Sequence, residues 1–294
     1  MLTSMKEMLE HANENNYAVM AINCINLEIA KAIIHAAEDC HSPVIINISP
    51  RQFKAHATLE MIIPMIKKRS EQAHVPIAIN LDHGQEFEDI VYAMQSGFTS
   101  IMFDGSSLPY EENIKRSQLI RALTREYGCS LETELGHVGQ AQSRDNSRED
   151  YLTDPDQAID FVRRTKTDFL AVAVGTAHGE YPKGMTPKID FQRLKELKEK
   201  LRIPLVLHGG SGAGEENIKT AVKCGINKIN VCTDLFNVGR DTMKSEIEKN
   251  PNIELLLLEM AVEAAMKNYI MAYMKMIGST NRYMYTSQNM TIVE

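Results

Sequence analysis

Eight short apolar runs punctuate the chain, and the stretches between them follow a different rhythm. The runs are YAVMAIN (17–23), SPVIINIS (42–49), VPIAINL (75–81), FTSIMFD (98–104), CSLETEL (129–135), DFLAVAVG (168–175), IPLVLHG (203–209) and INKINV (226–231). Most are apolar at successive rather than alternate positions, the pattern of strands covered on both faces. The intervening stretches, such as NLEIAKAIIHAAEDCH and FEDIVYAMQSG, place apolar residues three and four apart and often end at Gly or Pro, which predicts helices. In TDPDQAIDFVRRT, Thr153 or Asp154 is set to cap and Pro155 to occupy the first turn. Ser4-Met5-Lys6-Glu7 reads as a capping box that opens an N-terminal helix.

Eight strands alternating with helices predict an α/β protein, a TIM (β/α)8 barrel. No composition shift marks a linker, so residues 1–294 read as a single domain. The final stretch, 252–294, predicts a helical extension that packs on the barrel or on a partner subunit. One connection, GHVGQAQSRDNSREDYL (136–152), is long and lacks apolar periodicity, as a lid would.

Composition narrows the chemistry. The net charge is −7, so no global field draws the protein to nucleic acid or to an anionic membrane. An anionic substrate would have to be met locally. The five cysteines, Cys24, Cys40, Cys129, Cys224 and Cys232, are scattered and form no C-x-x-C pair, which fits reduced thiols in the cytoplasm. No secretory signal or membrane-spanning run is apparent.

In a TIM barrel the C-terminal strand ends carry the active site. Here they bring Asn23, Ser49, Asp82 with His83, Asp104, Glu134, His178, His208, and Asn230 with Thr233 to one rim. Each has an ordinary reading as a strand terminator; eight together do not. His83, His178 and His208 form a three-imidazole set suited to a catalytic zinc, with Asp104 and Glu134 as outer partners or an alternative resting site. The turn HGGSGAG (208–214) and NVCTD (230–234) offer backbone N–H groups for a phosphate. A metal, a phosphate cradle and the carboxylate of Asp82 suit carbon–carbon chemistry beside a ketone.

The ordered set LDHG, FDGSSLPYEENI, ETELG, VGTAHGEY, LVLHGGSG and INVCTD resembles the class II, zinc-dependent ketose-bisphosphate aldolases, from AINCINLE (21–28) to GSTNR (278–282). The resemblance implies reversible cleavage of a phosphorylated ketose to dihydroxyacetone phosphate and an aldehyde. The ketose would be tagatose or fructose 1,6-bisphosphate, or a related ketose 1-phosphate. It implies that Asp82 moves the proton of the C4 hydroxyl and that His83, His178 and His208 hold Zn2+. Gly179, Gly209, Gly210, Ser211, Asn230, Val231, Cys232 and Thr233 would bind the three-carbon phosphate, with Asn23 and Ser49 lining the pocket. A monovalent cation (Na+ or K+) near the phosphate and a homodimer or homotetramer are further implications.

Three positions depart from the pattern. Asn80 stands where the family often has His, and Cys232 where fructose-type members often have an acid. Gln142 stands where a lid Glu exchanges a proton with C1, with Asp145, Glu149 or Asp150 as substitutes. These departures keep open a second reading, a catalytically impaired metal- and sugar-phosphate-binding homologue. Metal-assisted hydrolysis ranks third, because AINCIN lacks a His-x-His after the first strand. Arg282, in the tail, resembles a position that reaches a distal group across subunits, against its plainer reading as a surface arginine.

Overall fold

The structure is a computed structural model that describes residues 1–56, 58–139, 141, 151–182, 184–286 and 289–292. Eight parallel strands close into a barrel: β1 (Val19–Asn23), β2 (Val44–Ile48), β3 (Ile77–Gly84), β4 (Ser100–Phe103), β5 (Ser130–Leu135), β6 (Phe169–Val172), β7 (Leu205–Leu207) and β8 (Ile226–Val231). Each pairs with its sequence neighbours, and β8 returns to β1 through pairs such as Ala21 with Asn230. Around them run α1 (Met5–Glu14), α2 (Leu27–Asp39), α3 (Pro50–Ala55), α4 (Leu59–Gln72), α5 (Phe87–Ser96), α6 (Tyr110–Glu126), α7 (Pro155–Thr165), α8 (Phe191–Leu201), α9 (Glu215–Lys223), α10 (Thr233–Lys249) and α11 (Leu255–Met276). The eight expected strands are all present, and the fold is a TIM barrel.

Strand alternation sorts the side chains into two cores. Outward-facing residues such as Met20, Ile22, Ile46, Ile79 and Leu207 pack against the helices. The lower half of the lumen is filled by Val19, Ala21, Ile45, Ala78, Met102, Phe169, Ala171 and Val206. Helix α1 closes that end from below with Met5, Met8, Leu9 and Ala12. Ser4 caps this helix by accepting from the Lys6 N–H. Two residues farther along the strands, the inner face turns polar: Ala21 gives way to Asn23, Ile45 to Asn47, Ala78 to Asn80 and Asp82, and Val206 to His208. Apolar filling at the bottom fixes the barrel, and the polar top is left for chemistry.

The strand expected over 75–81 extends instead through Gly84. The cause is a bulge: the pairing of Leu81 with Ile101 is followed by that of Gly84 with Phe103, an extra residue on β3. His83 takes up the irregularity with φ of 54°, in the left-handed region. Neighbours on a regular strand point to opposite faces; the bulge re-aims His83 so that it joins Asp82 at the rim.

The tail differs from the expectation of a wholly helical extension. Helix α11 packs against α2 and α10, with Val262, Met266, Ile270, Tyr273 and Met274 buried. Lys267 pairs with Asp39 at 2.6 Å, and Lys31 pairs with Glu263. The chain then forms an antiparallel pair, β9 (Tyr283–Thr286) with β10 (Asn289–Ile292). The sequence YMYT carries the aromatic and β-branched enrichment of a strand, which the helical reading passed over. Arg282 sits at the lower end of the barrel, 4.6 Å over the Tyr17 ring and donating to the Gly278 carbonyl at 2.9 Å.

Candidate active site

At the upper rim, His83 from the β3 bulge, His208 just past β7 and His178 in the loop after β6 converge. Their ring centroids lie 4.6 Å (His83–His208), 4.8 Å (His83–His178) and 5.7 Å (His178–His208) apart, all at steep interplanar angles. His83 Nε2 faces His208 Nδ1 at 2.9 Å. The other nitrogen of each ring is already committed: His83 Nδ1 meets Asp104 Oδ2 at 2.8 Å, and His208 Nε2 meets Glu132 Oε1 at 3.0 Å. If both committed nitrogens donate to these carboxylates, two lone pairs face each other, a contact that calls for a proton or a cation. His83 also belongs to a second group with Asp104 and Glu134, and the facing ligand atoms in each group lie within 4.8 Å of one another. Glu134 Oε2 is buried with no hydrogen-bond partner among the described residues.

Asp82 lies beside this cluster, almost fully buried. Asn23 Nδ2 donates to its Oδ2 at 2.9 Å and Asn230 Nδ2 to its Oδ1 at 2.9 Å, so two amides from β1 and β8 fix the carboxylate plane. Burial alone would raise its pKa, but His83, His208 and Lys228 pull it below the usual carboxylate value, so Asp82 is ionised at neutral pH. Burial likewise opposes charge on His83, yet Asp82, Asp104 and Glu134 raise it to about 9. Burial, assisted by His83, lowers His178 to about 4, and His208 falls well below its ordinary value for the same reasons. Glu134 is pushed up to about 8 by burial and by Asp104.

The glycine turn adjoins the cluster. Gly209 has φ of 68°, and a side chain there would meet the Ala177 carbonyl oxygen at 2.3 Å, so only glycine fits. The Gly210 N–H is used by the Asn230 carbonyl at 3.1 Å, and the N–H groups of Cys232 and Asp234 reach Ser211 Oγ, each at 3.2 Å. Among the described residues no bond takes up the N–H groups of Gly179, Gly209, Ser211 or Thr233, which leaves four amides around the turn. A cavity of about 720 Å³ opens between this turn and α3, lined by Asn23, Ser49, Asp82, His83, His178 and Cys232 among others. Of the expected binding residues, Gly210 and Val231 do not line it. Val231 belongs to the outer core layer, facing the helices.

The sequence profile of the family described as "Fructose-bisphosphate aldolase class-II" matches residues 3–282. The chain belongs to the class II fructose-bisphosphate aldolase family. It is similar to the YdjI aldolase from Escherichia coli K12, with 33% identity over 96% of this chain and 99% of that one, and a TM-score of 0.85. It is also similar to a putative fructose-1,6-biphosphate aldolase from Coccidioides immitis, with 31% identity over 94% and 96% of the two chains and a TM-score of 0.83. A Campylobacter jejuni fructose-bisphosphate aldolase, 21% identical over 95% and 96% of the two chains, shares the fold with a TM-score of 0.77. The protein is thus an aldolase, a carbon–carbon lyase.

Metal dependence is typical of class II aldolases, and the residues of this one fit a metal ion: three imidazoles converge, two of them presenting opposed nitrogens, with an orphaned carboxylate oxygen on Glu134 close by. Beneath the three imidazoles lies a feature that the sequence reading did not single out. Glu132 accepts from His208 on one oxygen and from Lys228 Nζ on the other at 2.7 Å, and the side chains of Glu132 and Lys228 have no exposed surface. The signal was present, as a lysine in the middle of INKINV and a glutamate two residues before Glu134. Two charges of opposite sign on inward-facing positions of a barrel must meet across its lumen. Gln52 was also missed: it accepts from the Ser49 N–H at 2.8 Å and from Asn23 Nδ2 at 3.3 Å, tying the start of α3 to the residue that holds Asp82. Asn80, the first of the departures from the family pattern, lies below Asp82 and donates to Asn47 at 3.0 Å, away from the reacting groups.

Part of the expected lid can be placed. The Ala141 N–H donates to the His178 carbonyl and the His178 N–H to the Gly139 carbonyl, both at 2.8 Å, so the loop leaving β5 runs against the backbone of the residue that carries the third imidazole. Gln142, Asp145, Glu149 and Asp150 lie outside the described residues.

Proposed function

We propose that residues 1–294 form one aldolase domain that uses Zn2+ to cleave a phosphorylated ketose reversibly into dihydroxyacetone phosphate and an aldehyde. The observation that carries this reading is the pair of opposed imidazole nitrogens, His83 Nε2 and His208 Nδ1, 2.9 Å apart beside the ionised Asp82. The zinc, held by His83, His178 and His208, would supply Lewis-acid polarisation of the ketone. Asp82 takes the proton of the C4 hydroxyl; the C3–C4 bond then breaks and its electrons pass to the three-carbon half. Asn23 and Asn230 hold Asp82 in place, and the free amides of Gly179, Gly209, Ser211 and Thr233 cradle the phosphate.

The substrate is tagatose or fructose 1,6-bisphosphate or a related ketose 1-phosphate. The ionised carboxylate and the complete set of imidazoles favour activity over an impaired binding role. A homodimer or homotetramer is supported by Leu255, Leu256, Leu257 and Met260, exposed together at the start of α11. No described helix is long and apolar enough to cross a membrane, and the five cysteines are free, in keeping with our assignment to the cytoplasm.

The test is release of dihydroxyacetone phosphate from a panel of ketose 1,6-bisphosphates and 1-phosphates, before and after chelation. Activity that vanishes with chelator and returns with zinc is expected. Activity indifferent to chelation in metal-free protein, or none with zinc bound, would defeat the reading.

A further inference from the structure

The cavity is larger than a three-carbon phosphate requires, and its two ends differ in chemistry. One end holds His83, His178 and the glycine turn. The other is walled by α3, which contributes Pro50, Arg51, Gln52, Ala55 and its capping residue His56. With the phosphate of dihydroxyacetone phosphate at the turn, the aldehyde half must extend past Asp82 towards this second wall.

The polar groups of α3 are unequally occupied. Gln52 is engaged by Ser49 and Asn23, and Lys54 is paired with Asp89 at 2.6 Å. Arg51 is exposed and makes no hydrogen bond or ion pair with a described residue. Among the described residues it is the one Lys or Arg that lines the cavity. Cys232, on the β8 side, feels the charge of both Asp82 and Arg51, so the guanidinium lies within electrostatic reach of the reacting end. Burial keeps that thiol neutral, raised to about 12, so it does not neutralise the arginine. In an acidic protein, an unpartnered guanidinium facing a substrate cavity is a receptor for an anion, and its planar fork matches both carboxylate and phosphate.

We propose that Arg51 recognises an anionic group, carboxylate or phosphate, at the far end of the aldehyde half, and so sets the specificity of the enzyme at the end remote from the dihydroxyacetone phosphate. His56 lines the same wall and offers a second donor. The inference rests on the aldolase reading above.

The experiment runs the reaction in the condensation direction, with zinc-loaded protein, dihydroxyacetone phosphate as the fixed donor, and aldehydes of three to six carbons. Each aldehyde is presented in three forms, ending in a carboxylate, a phosphate or a hydroxyl. A lost charge-assisted contact corresponds to about ten- to a hundredfold. Wild type is therefore expected to prefer one anionic form over the hydroxyl form by that factor in kcat/KM. R51A should reduce the preference to within about threefold, while R51K retains part of it, because charge without the fork still attracts the anion. Which anion is favoured distinguishes carboxylate from phosphate. A wild type without preference, an R51A variant that keeps the preference, or an R51A variant equally impaired with all three forms would each overturn the proposal. Condensation with no aldehyde at all would instead defeat the aldolase reading. A melting temperature for R51A equal to that of wild type would exclude unfolding as the cause of any loss.

Discussion

Glu132 and Lys228 meet at 2.7 Å inside the barrel, 96 residues apart in sequence and without exposed side-chain surface, and the free oxygen of Glu132 holds His208. The pair therefore does two things. It neutralises a buried charge, and it orients an imidazole whose other nitrogen faces the metal position. Glu132→Gln should separate them. The substitution leaves Lys228 buried without its counter-charge, at a cost of about 3–5 kcal/mol. It also weakens the orientation of His208, which should lower metal affinity about 10–100-fold. Adding Lys228→Met should recover much of the stability and none of the affinity. Denaturant midpoints of the metal-free proteins and competition titrations with zinc would measure the two effects. An unchanged affinity in Glu132→Gln would mean that Glu132 serves Lys228 alone.

Asp82 is held by two amides and is ionised, and it belongs to neither of the two groups whose ligand atoms converge within 4.8 Å of one another. Asp82→Ala should therefore keep the metal while turnover falls by about 10²–10⁴, the usual contribution of a positioned base. The checks are dihydroxyacetone phosphate release and metal content on the same preparation. Loss of metal would make Asp82 a support of the cluster instead of the proton carrier.

His208→Ala removes a candidate ligand and leaves Glu132 without its imidazole. Metal affinity should fall by more than the about 10–100-fold expected for an outer partner, and activity should disappear with it. A zinc-replete, active His208→Ala protein would exclude the three-imidazole site.

Much of this was legible in the sequence because a barrel converts strand order into position. The unbroken apolar runs gave the eight strands, and the rim rule carried Asp82, His83, His178 and His208 to one end, where the structure has them. What escaped depends on facts that a linear reading does not contain. The bulge at His83 arises from pairing with β4, so the strand looked finished at Leu81. The Glu132–Lys228 pair joins strands that are not neighbours in the barrel. Nothing in the sequence marks Arg51, and only its place on the cavity wall, beside a Lys54 already paired, singles it out.

In the metal-free protein burial works against a charged His83, but Asp82, Asp104 and Glu134 raise it to about 9, so at neutral pH it carries a proton. His178, lowered to about 4 by burial, and His208, held well below its ordinary value chiefly by burial, are already neutral. A metal ligand must offer a lone pair, so zinc binding should release about one proton, from His83. Affinity should then climb about tenfold per pH unit between about pH 6 and 9 and level off above. Stability follows the opposite course. A histidine whose folded pKa exceeds its unfolded value of 6.5 contributes stability that is complete below 6.5 and lost as pH rises through about 9. The melting temperature of metal-free protein should thus fall across that window, while the zinc-loaded protein, in which His83 has no proton to lose, should not share the decline. Calorimetric zinc titrations in two buffers of different ionisation enthalpy would count the proton directly. Identical heats in both buffers would show that no proton leaves on metal binding, so that His83 is already neutral before the metal arrives.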